Sequence, residues 1–424
     1  DPVGPDPAAS PDRRADRPVS LLGQVRNAWR GLAPEQVRRM AQPVLAPLLE
    51  AHVRAQARKP HGAETLNGGP IRIVGYLSGS HGIAASARLA ARAFESLGVP
   101  VERIDAAGAA LTWSPQGPDP RPAAAWIFHL NPPELLAALG QMGPRRVIGP
   151  RYGYWAWELP NAPPQWLKDA AMVDEVWAPS RFVAASLAGA RAPVRVVPHP
   201  LFLEDYDDVR PAPRRAAFQA VALFDFNSSQ ARKNPQGAIA AFAQAFGGDP
   251  DARLVIKTQN GGQHPDAMAR LRAGAPANVE IIDAVWPYAE VLSVIAGADV
   301  LISLHRAEGF GLTPAEALAL GTPVLATDWS GVTDFLDDEV ALMVPAGRAP
   351  VEDPQGLYAG QSWAEPDIGY AAQALAGLRA DPGRRAVLAA AGRRRVAERL
   401  SPQAWFTTLP DKVKAAAMRA AQGR

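Results

Sequence analysis

The chain of 424 residues carries 44 Lys and Arg against 42 Asp and Glu, a net charge of +2, and it has no cysteine. Near-neutral charge gives no footing for a nucleic-acid binder, and the missing thiols exclude a disulfide scaffold, a thiolate zinc site and a Cys nucleophile. With 48% hydrophobic and 20% charged residues it can bury the cores of two or three domains. No run of about 18 apolar residues occurs, so no membrane span is expected. No signal-peptide pattern opens the chain, which makes the cytoplasm the expected location.

Residues 1–19 hold five Pro and almost no apolar side chains, and read as a disordered lead-in. Residues 20–66 form a basic extension. Leu21, Leu22, Val25 and Trp29, then Val37, Met40 and Val44, recur at near-helical spacing. Arg26, Arg30, Arg38, Arg39, Arg54, Arg58 and Lys59 outnumber Glu35 and Glu50. The pattern predicts two basic amphipathic helices with a break near Pro34. Such helices suit an anionic membrane surface, or packing on the protein's own body or a second subunit.

From residue 70, short apolar runs alternate with helical stretches. Strands are expected at 71–77, 126–130, 145–149, 174–178 and 194–198, with a glycine loop (Gly79, Gly82) and a helix after the first. A second series begins near 217, with strands at 253–258, 279–283, 299–304 and 323–327. This alternation predicts two doubly wound α/β domains. The charged, Pro-containing stretch 201–215 reads as the linker, so the boundaries fall at 67–205 and 206–400. A C-terminal helix is expected over 401–424, opened by Ser401–Pro402 as cap and first-turn proline. Ligands of such sheets bind beyond the carboxyl ends of the strands, which puts the site in the cleft between the domains.

The most informative segment is SLHRAEGFGLTPAEALALGTPVLAT, residues 303–327. Thr313, Pro314 and Glu316 are spaced as a capping box, and Gly321 and Pro323 as a helix stop. Gly309, Phe310, Gly311 and Leu312 lead into that helix, where glycines and a helix start form a phosphate cradle without a Walker lysine. Glu316 closes the capping box or serves a ligand. Glu308, before a glycine turn at a strand end, has no evident structural duty.

Glu308-Gly-Phe-Gly, Glu316 after seven intervening residues, and Ala-Leu-Gly-Thr-Pro-Val resemble the E-x7-E signature of glycosyltransferase family 4, of GT-B architecture. Residues 224–246 and 327–335 resemble the neighbouring donor-side segments. Residues 154–182 and 196–200 resemble a branch that builds bacterial surface polysaccharides. The likeness covers roughly residues 70–400. It implies a GT-B fold and retaining transfer of a sugar from a nucleotide diphosphate sugar, GDP-mannose slightly favoured, to a glycan or lipid-linked oligosaccharide. No metal and no cofactor are implied beyond the donor substrate. The expected place is the cytoplasm, peripherally on the inner face of the membrane through residues 20–59; an oligomer is compatible.

Residue by residue, the resemblance implies that Lys233 meets the donor phosphates, with Arg232 beside it. The family often has an Arg where this chain has Asn227, followed by Ser228 and Ser229, whose amide and hydroxyls are neutral donors. It implies that Glu316 accepts the ribose hydroxyls, that Glu308 lies by the donor sugar, and that His129 lies near the reacting sugar. Asp283 either accepts guanine N–H groups or caps the next helix. On the acceptor side stand Gly82 and His81 in the glycine loop, and Glu158 among Tyr152, Tyr154, Trp155 and Trp157, which either stack on a sugar or form a core cluster. The other readings are a nucleotide-sugar epimerase, a phosphorylase, for which no lysine motif is present, and a degenerate glycan-binding or scaffolding subunit.

Overall fold

The computed structural model describes residues 35–58, 69–79, 81–108, 111–113, 121–352, 358 and 360–422. The lead-in 1–19 and the first basic helix lie outside them. Two parallel sheets dominate. The first contains β1 (Ile71–Gly75), β2 (Val101–Asp105), β3 (Thr112–Trp113), β4 (Ala125–His129), β5 (Arg151–Tyr154), β6 (Glu175–Ala178) and β7 (Val194–Val196), in the order β3-β2-β1-β4-β5-β6-β7. Only β3 runs antiparallel. The second contains β8 (Phe218–Leu223), β9 (Ala252–Thr258), β10 (Val279–Asp283), β11 (Val300–Ser303), β12 (Val324–Thr327) and β13 (Leu342–Val344), in the order β10-β9-β8-β11-β12-β13. The strand order reverses between β1 and β4, and again between β8 and β11. These are the switch points where a doubly wound sheet opens a crevice. A hairpin, β14 (Ala346–Pro350) with β15 (Ser362–Pro366), is added to the second domain. The expected GT-B arrangement of two Rossmann-like domains facing a cleft is the fold observed.

Helices cover both faces because the strands are apolar on both. Ile71 and Ile73 face one cluster with Phe94, whereas Val74 joins another with Trp126 and Phe128. In the second domain Leu254 and Ile256 pack on one side, and Val255 on the other.

Three expectations need correction. The strand predicted at 145–149 is a 3-10 turn, Pro144–Arg146, and the strand comes later as β5. Gly143 (φ 78°) and Gly149 (φ 116°) break the backbone on either side. The buried Arg151 guanidinium donates to the carbonyls of Pro144, Val147 and Ala57, which fixes the turn. In the stretch read as the linker, Leu201 and Tyr206 are buried in the second domain, and Glu204–Asp207 is a helical turn. The C-terminal helix is two helices, Pro402–Thr408 and Asp411–Ala421, and they return to the first domain. There Trp405, Val413 and Ala417 pack with Phe94 and Ile71. Ser401 does cap the first of these helices, accepting from the Ala404 N–H at 3.3 Å. The capping box at 313–316 is absent, for a reason given with the site below.

The second part of the basic extension is one helix, Glu35–Ala57, beginning right after Pro34. Its last turns bury Val53 and Ala57 against the first domain, and Arg54 reaches Asp169 at 3.0 Å. This half therefore packs on the protein's own body. No described helix is long and apolar enough to cross a membrane.

Trp405 is 1% exposed and meets Phe94 edge-on at 4.9 Å. Trp405→Ala is expected to cost about 3–5 kcal/mol, the range for emptying an aromatic site in a core. Urea unfolding followed by Trp fluorescence checks this; a loss under about 1 kcal/mol would mean the returning helices do not stabilise the first domain.

Candidate active site

A cleft of about 630 Å³ lies between the carboxyl edges of the two sheets. Its walls come from the loop after β1, the loops after β8 and β11, and two helix starts. The helices Gly82–Ser96 and Leu312–Leu320 begin opposite each other, and a Cβ on Gly82 would stand 4.0 Å from Leu312 Cδ1. Two positive helix ends thus converge on one space. His81, Gly82, Glu158, Asn227, Ser228, Arg232, Lys233, Glu308, Gly309, Phe310, Gly311, Leu312 and Glu316 all line it.

The helix after β11 starts two residues earlier than the capping box requires. Gly311 is its cap, at φ 94°, a left-handed conformation that favours glycine, and it has no side chain to cap with. Thr313 is therefore inside the first turn and no capping box forms. Glu316 is free for another duty: its Oε1 accepts from the Tyr288 hydroxyl at 2.5 Å, at the cavity wall. Burial pushes the Glu316 carboxyl up to about 7, against the opposing pull of that hydroxyl. The Gly321 stop is as expected, at φ 73°.

Glu308 is the most constrained acid. Lys233 Nζ donates to Oε1, and Arg232 Nη1 stands 3.3 Å from Oε2. Burial would raise this carboxyl, but Lys233 and then Arg232 outweigh it and hold it down at about 2. Its backbone is clamped as well. Its N–H donates to Ser330 Oγ at 2.8 Å, and its carbonyl accepts from the Gly331 N–H at 2.9 Å. Gly331 is sterically required, since a Cβ there would sit 2.1 Å from the Gly309 carbonyl oxygen. The first domain contributes Ser180, whose Oγ donates to that same oxygen at 2.6 Å.

The two neighbouring cations divide their roles. Arg232 is 3% exposed, and its guanidinium donates to Ala307 O (2.8 Å) and Ser228 Oγ (2.9 Å). It fastens the β8 loop to the β11 loop. Lys233 is less buried and shares its ammonium with Glu308 at the cavity. Asn227 takes the place left by the expected Arg, in contact with Gln263 and with His264 Nε2 at 2.9 Å.

Two predicted residues are not brought into the cleft. His129 is 1% exposed behind Ser86 and Tyr154, with Nδ1 2.9 Å from Ser86 Oγ and its ring stacked on Tyr154 at 4.5 Å. Burial, with His199 adding to it, lowers the His129 pKa to about 3, so the ring is neutral. His199 reaches the cavity instead, 3.1 Å from the Tyr154 hydroxyl. Asp283 accepts from the Gly261 N–H at 3.1 Å and is outside the cavity lining. It does not cap the helix Tyr288–Ala296 either, because Pro287 holds the cap position. His81 caps the helix Gly82–Ser96 through a 3.4 Å bond from the Ala84 N–H. Glu158 stands 4.0 Å from Arg232 and 3.4 Å from the Tyr358 hydroxyl. Of the aromatic cluster around it, Tyr152, Tyr154 and Trp155 are core, and Trp157 is half-buried.

Sequence reasoning missed Tyr288, Lys257, Ser330 and Ser180. The first two sit on a helix face and a strand end that carry no local motif. The last two act through contacts distant in sequence.

Residues 226–351 match the family model described as Glycosyl transferases group 1. A GDP-mannose-dependent monoacylated alpha-(1-6)-phosphatidylinositol monomannoside mannosyltransferase of Corynebacterium glutamicum is 24% identical over 292 residues, 64% of this chain and 71% of that protein. A D-inositol 3-phosphate glycosyltransferase of Segniliparus rotundus is 30% identical over 125 residues, 28% of each chain. Among solved structures, a glycosyltransferase from Rickettsia africae superposes with TM-score 0.59 at 14% identity, over 80% of this chain and 96% of that one. Sucrose-phosphate synthase from Thermosynechococcus elongatus superposes with TM-score 0.57 at 18% identity, over 84% and 98%. The structures share the fold, and the sequence matches support a glycosyltransferase.

The depressed carboxyl of Glu308 makes stability pH-dependent. Its pKa is about 2 in the folded chain and about 4.3 in the unfolded one. It therefore stabilises the fold above about pH 4 and loses this as pH falls toward 2, a contribution on the order of 3 kcal/mol. In Lys233→Met the Glu308 pKa is expected to rise and the acid limb of stability to flatten. Urea unfolding from about pH 7 to pH 3 checks this; an unaltered acid limb would remove the pair as its cause.

Proposed function

We propose that the protein is a retaining, metal-independent glycosyltransferase of family 4. It moves a sugar, with GDP-mannose as the favoured donor, onto a glycan or lipid-linked oligosaccharide in surface-polysaccharide synthesis. The observation that carries this reading is the Lys233–Glu308–Arg232 cluster at a cleft where two helix starts meet. That is positive charge gathered where a leaving diphosphate needs it.

In this reading the bond from the sugar anomeric carbon to the diphosphate oxygen breaks. The acceptor oxygen bonds the same carbon on the same face. The acceptor proton passes to the departing phosphate oxygen, so no protein base is needed. Lys233 and the start of the helix Leu312–Leu320 receive the developing phosphate charge. Glu308 holds donor-sugar hydroxyls and steadies the positive character at the anomeric carbon. Glu316, steered by Tyr288, accepts the two ribose hydroxyls, a fit for the two oxygens of a carboxylate. Ser86, Glu158 and His199 face the acceptor side. The mannosyltransferase relative, named for a GDP-mannose donor and a phosphatidylinositol-based substrate, supports the choice of donor and of a lipid-linked acceptor. The part of residues 20–59 that is not packed on the first domain, including the exposed Leu48 and Leu49, would carry the enzyme to an anionic membrane face.

A thermal-shift screen against GDP-, UDP-, dTDP- and ADP-sugars tests the donor, because a ligand of the native state raises its stability. A GDP-sugar is expected to give the largest rise, with affinity increasing from about pH 6 to pH 8 as Glu316 ionises. Glu316→Gln should weaken binding at least about tenfold and flatten that pH profile, since it loses the ionised acceptor. Unaltered affinity in the variant would overturn the ribose assignment.

In a transfer assay, Lys233→Ala should lower kcat by about 100-fold or more, while the wild type keeps its activity in EDTA. NMR of the product anomer should show retained configuration. An inverted product, or loss of activity on chelation, would overturn the mechanism.

A further inference from the structure

A second buried cation lines the same cleft and has no part in the chemistry above. Lys257 is 5% exposed, near the carboxyl end of β9. It sits between Leu223 of β8 and Ile282 of β10 in the sheet register. Residues 255 and 257 point to one face of the strand, and Val255 packs there against Leu292 and Ala315. Lys257 therefore projects to the same side as the helices that carry Tyr288 and Glu316.

Its ammonium donates to Thr258 O at 2.9 Å and to Ala284 O at 2.5 Å. It also lies 4.8 Å over the Trp286 ring. An ammonium has three donors, and these carbonyls take two. Asp225 and Asp283 act on it electrostatically, and both carboxylates are already engaged: Asp225 accepts from Gln259, Asn260 and Asn227, and Asp283 from Gly261. Leu223, Val291 and Tyr288 line the cleft together with Lys257 and Glu316, and the Tyr288 hydroxyl bonds Glu316. A fixed donor, apolar side chains and a carboxylate suited to a vicinal diol in one cavity are the groups a nucleoside site needs.

We propose that Lys257 reads the nucleobase of the donor, selecting a base with an exocyclic carbonyl oxygen, guanine or a uracil-type pyrimidine, and rejecting adenine. Guanine O6 and uracil O4 accept from the third ammonium hydrogen. Adenine presents an amino donor at the corresponding edge, so donor meets donor and the buried charge loses a partner. This rests on the nucleotide-sugar reading above and adds the residue that chooses among nucleotides.

The test is calorimetric titration of the whole chain with GDP, UDP and ADP. The wild type should bind at least one of GDP and UDP more than about tenfold tighter than ADP. Lys257→Met keeps the stem and removes the donor; it should bring that ratio to within about threefold, chiefly by weakening the carbonyl-bearing nucleotide. Because methionine also leaves Ala284 O without its partner, Lys257→Gln is measured alongside. Its amide both donates and accepts, and it should relax the ratio while keeping the melting temperature. Equal weakening of all three nucleotides in both variants would make Lys257 structural and overturn the proposal, as would a wild type that prefers ADP. If the wild type binds none of the three, the transferase reading fails with it. Binding with an unchanged ratio defeats only the Lys257 assignment.

Discussion

The site depends on keeping one buried carboxylate ionised. A buried acid without partners takes up a proton, because the charge costs too much in a low-dielectric surrounding. Glu308 escapes this through Lys233 on one oxygen and Arg232 on the other. The three residues come from two loops that meet only because β8 and β11 are neighbours at the switch point. Arg232 then ties those loops together through Ala307 and Ser228, so the pairing also sets the shape of the pocket floor.

The same arrangement bears on how a donor would enter. In the proposed reading Lys233 gives one of its three donors to Glu308, so an arriving phosphate would share the ammonium with that carboxylate. The attraction would grow as negative charge develops on the phosphate, and only that growth contributes to rate rather than to affinity alone. Glu316 behaves oppositely. It has a hydroxyl for company and no cation, and its carboxyl rises to about 7. Two glutamates eight positions apart are thus driven in opposite directions by what stands next to them.

The parts legible in the sequence are those with a local signature. Alternating apolar runs and helices gave two doubly wound domains, and the glycine turn with its following helix marked the cleft. Glu308 and Glu316 could be picked out from their spacing around the glycine turn, and Lys233 from the resemblance of residues 224–246 to a donor-side segment. Failures came where distant contacts decide. The run 145–149 has strand composition, yet Arg151 holds it as a turn by bonding three carbonyls, one of them in the N-terminal helix. His129 ends a strand as expected but is roofed over by Ser86 and Tyr154 from other elements. Lys257 reads as any strand lysine until the fold buries it beside Trp286. The returning C-terminal helices have no signal of their own, since an amphipathic pattern shows which face is buried and not against which domain.

The two domains do not share the work of holding Glu308 equally. Lys233, Arg232, Ser330 and Gly331 all belong to the second domain, so the ionised carboxylate is maintained there whatever the first domain does. The first domain touches this region through Ser180, on the carbonyl of Gly309, through Arg181, which bonds Asp334 at 3.0 Å, and through Glu158, 4.0 Å from Arg232. Separating the lobes would break those contacts and leave Lys233 and Arg232 on Glu308. The charged cluster therefore resides in one domain, while the aim of the Glu308–Gly309 backbone toward the opposite wall depends on both. The C-terminal helices, packed on the first domain after leaving the second, keep the lobes tethered along a second path.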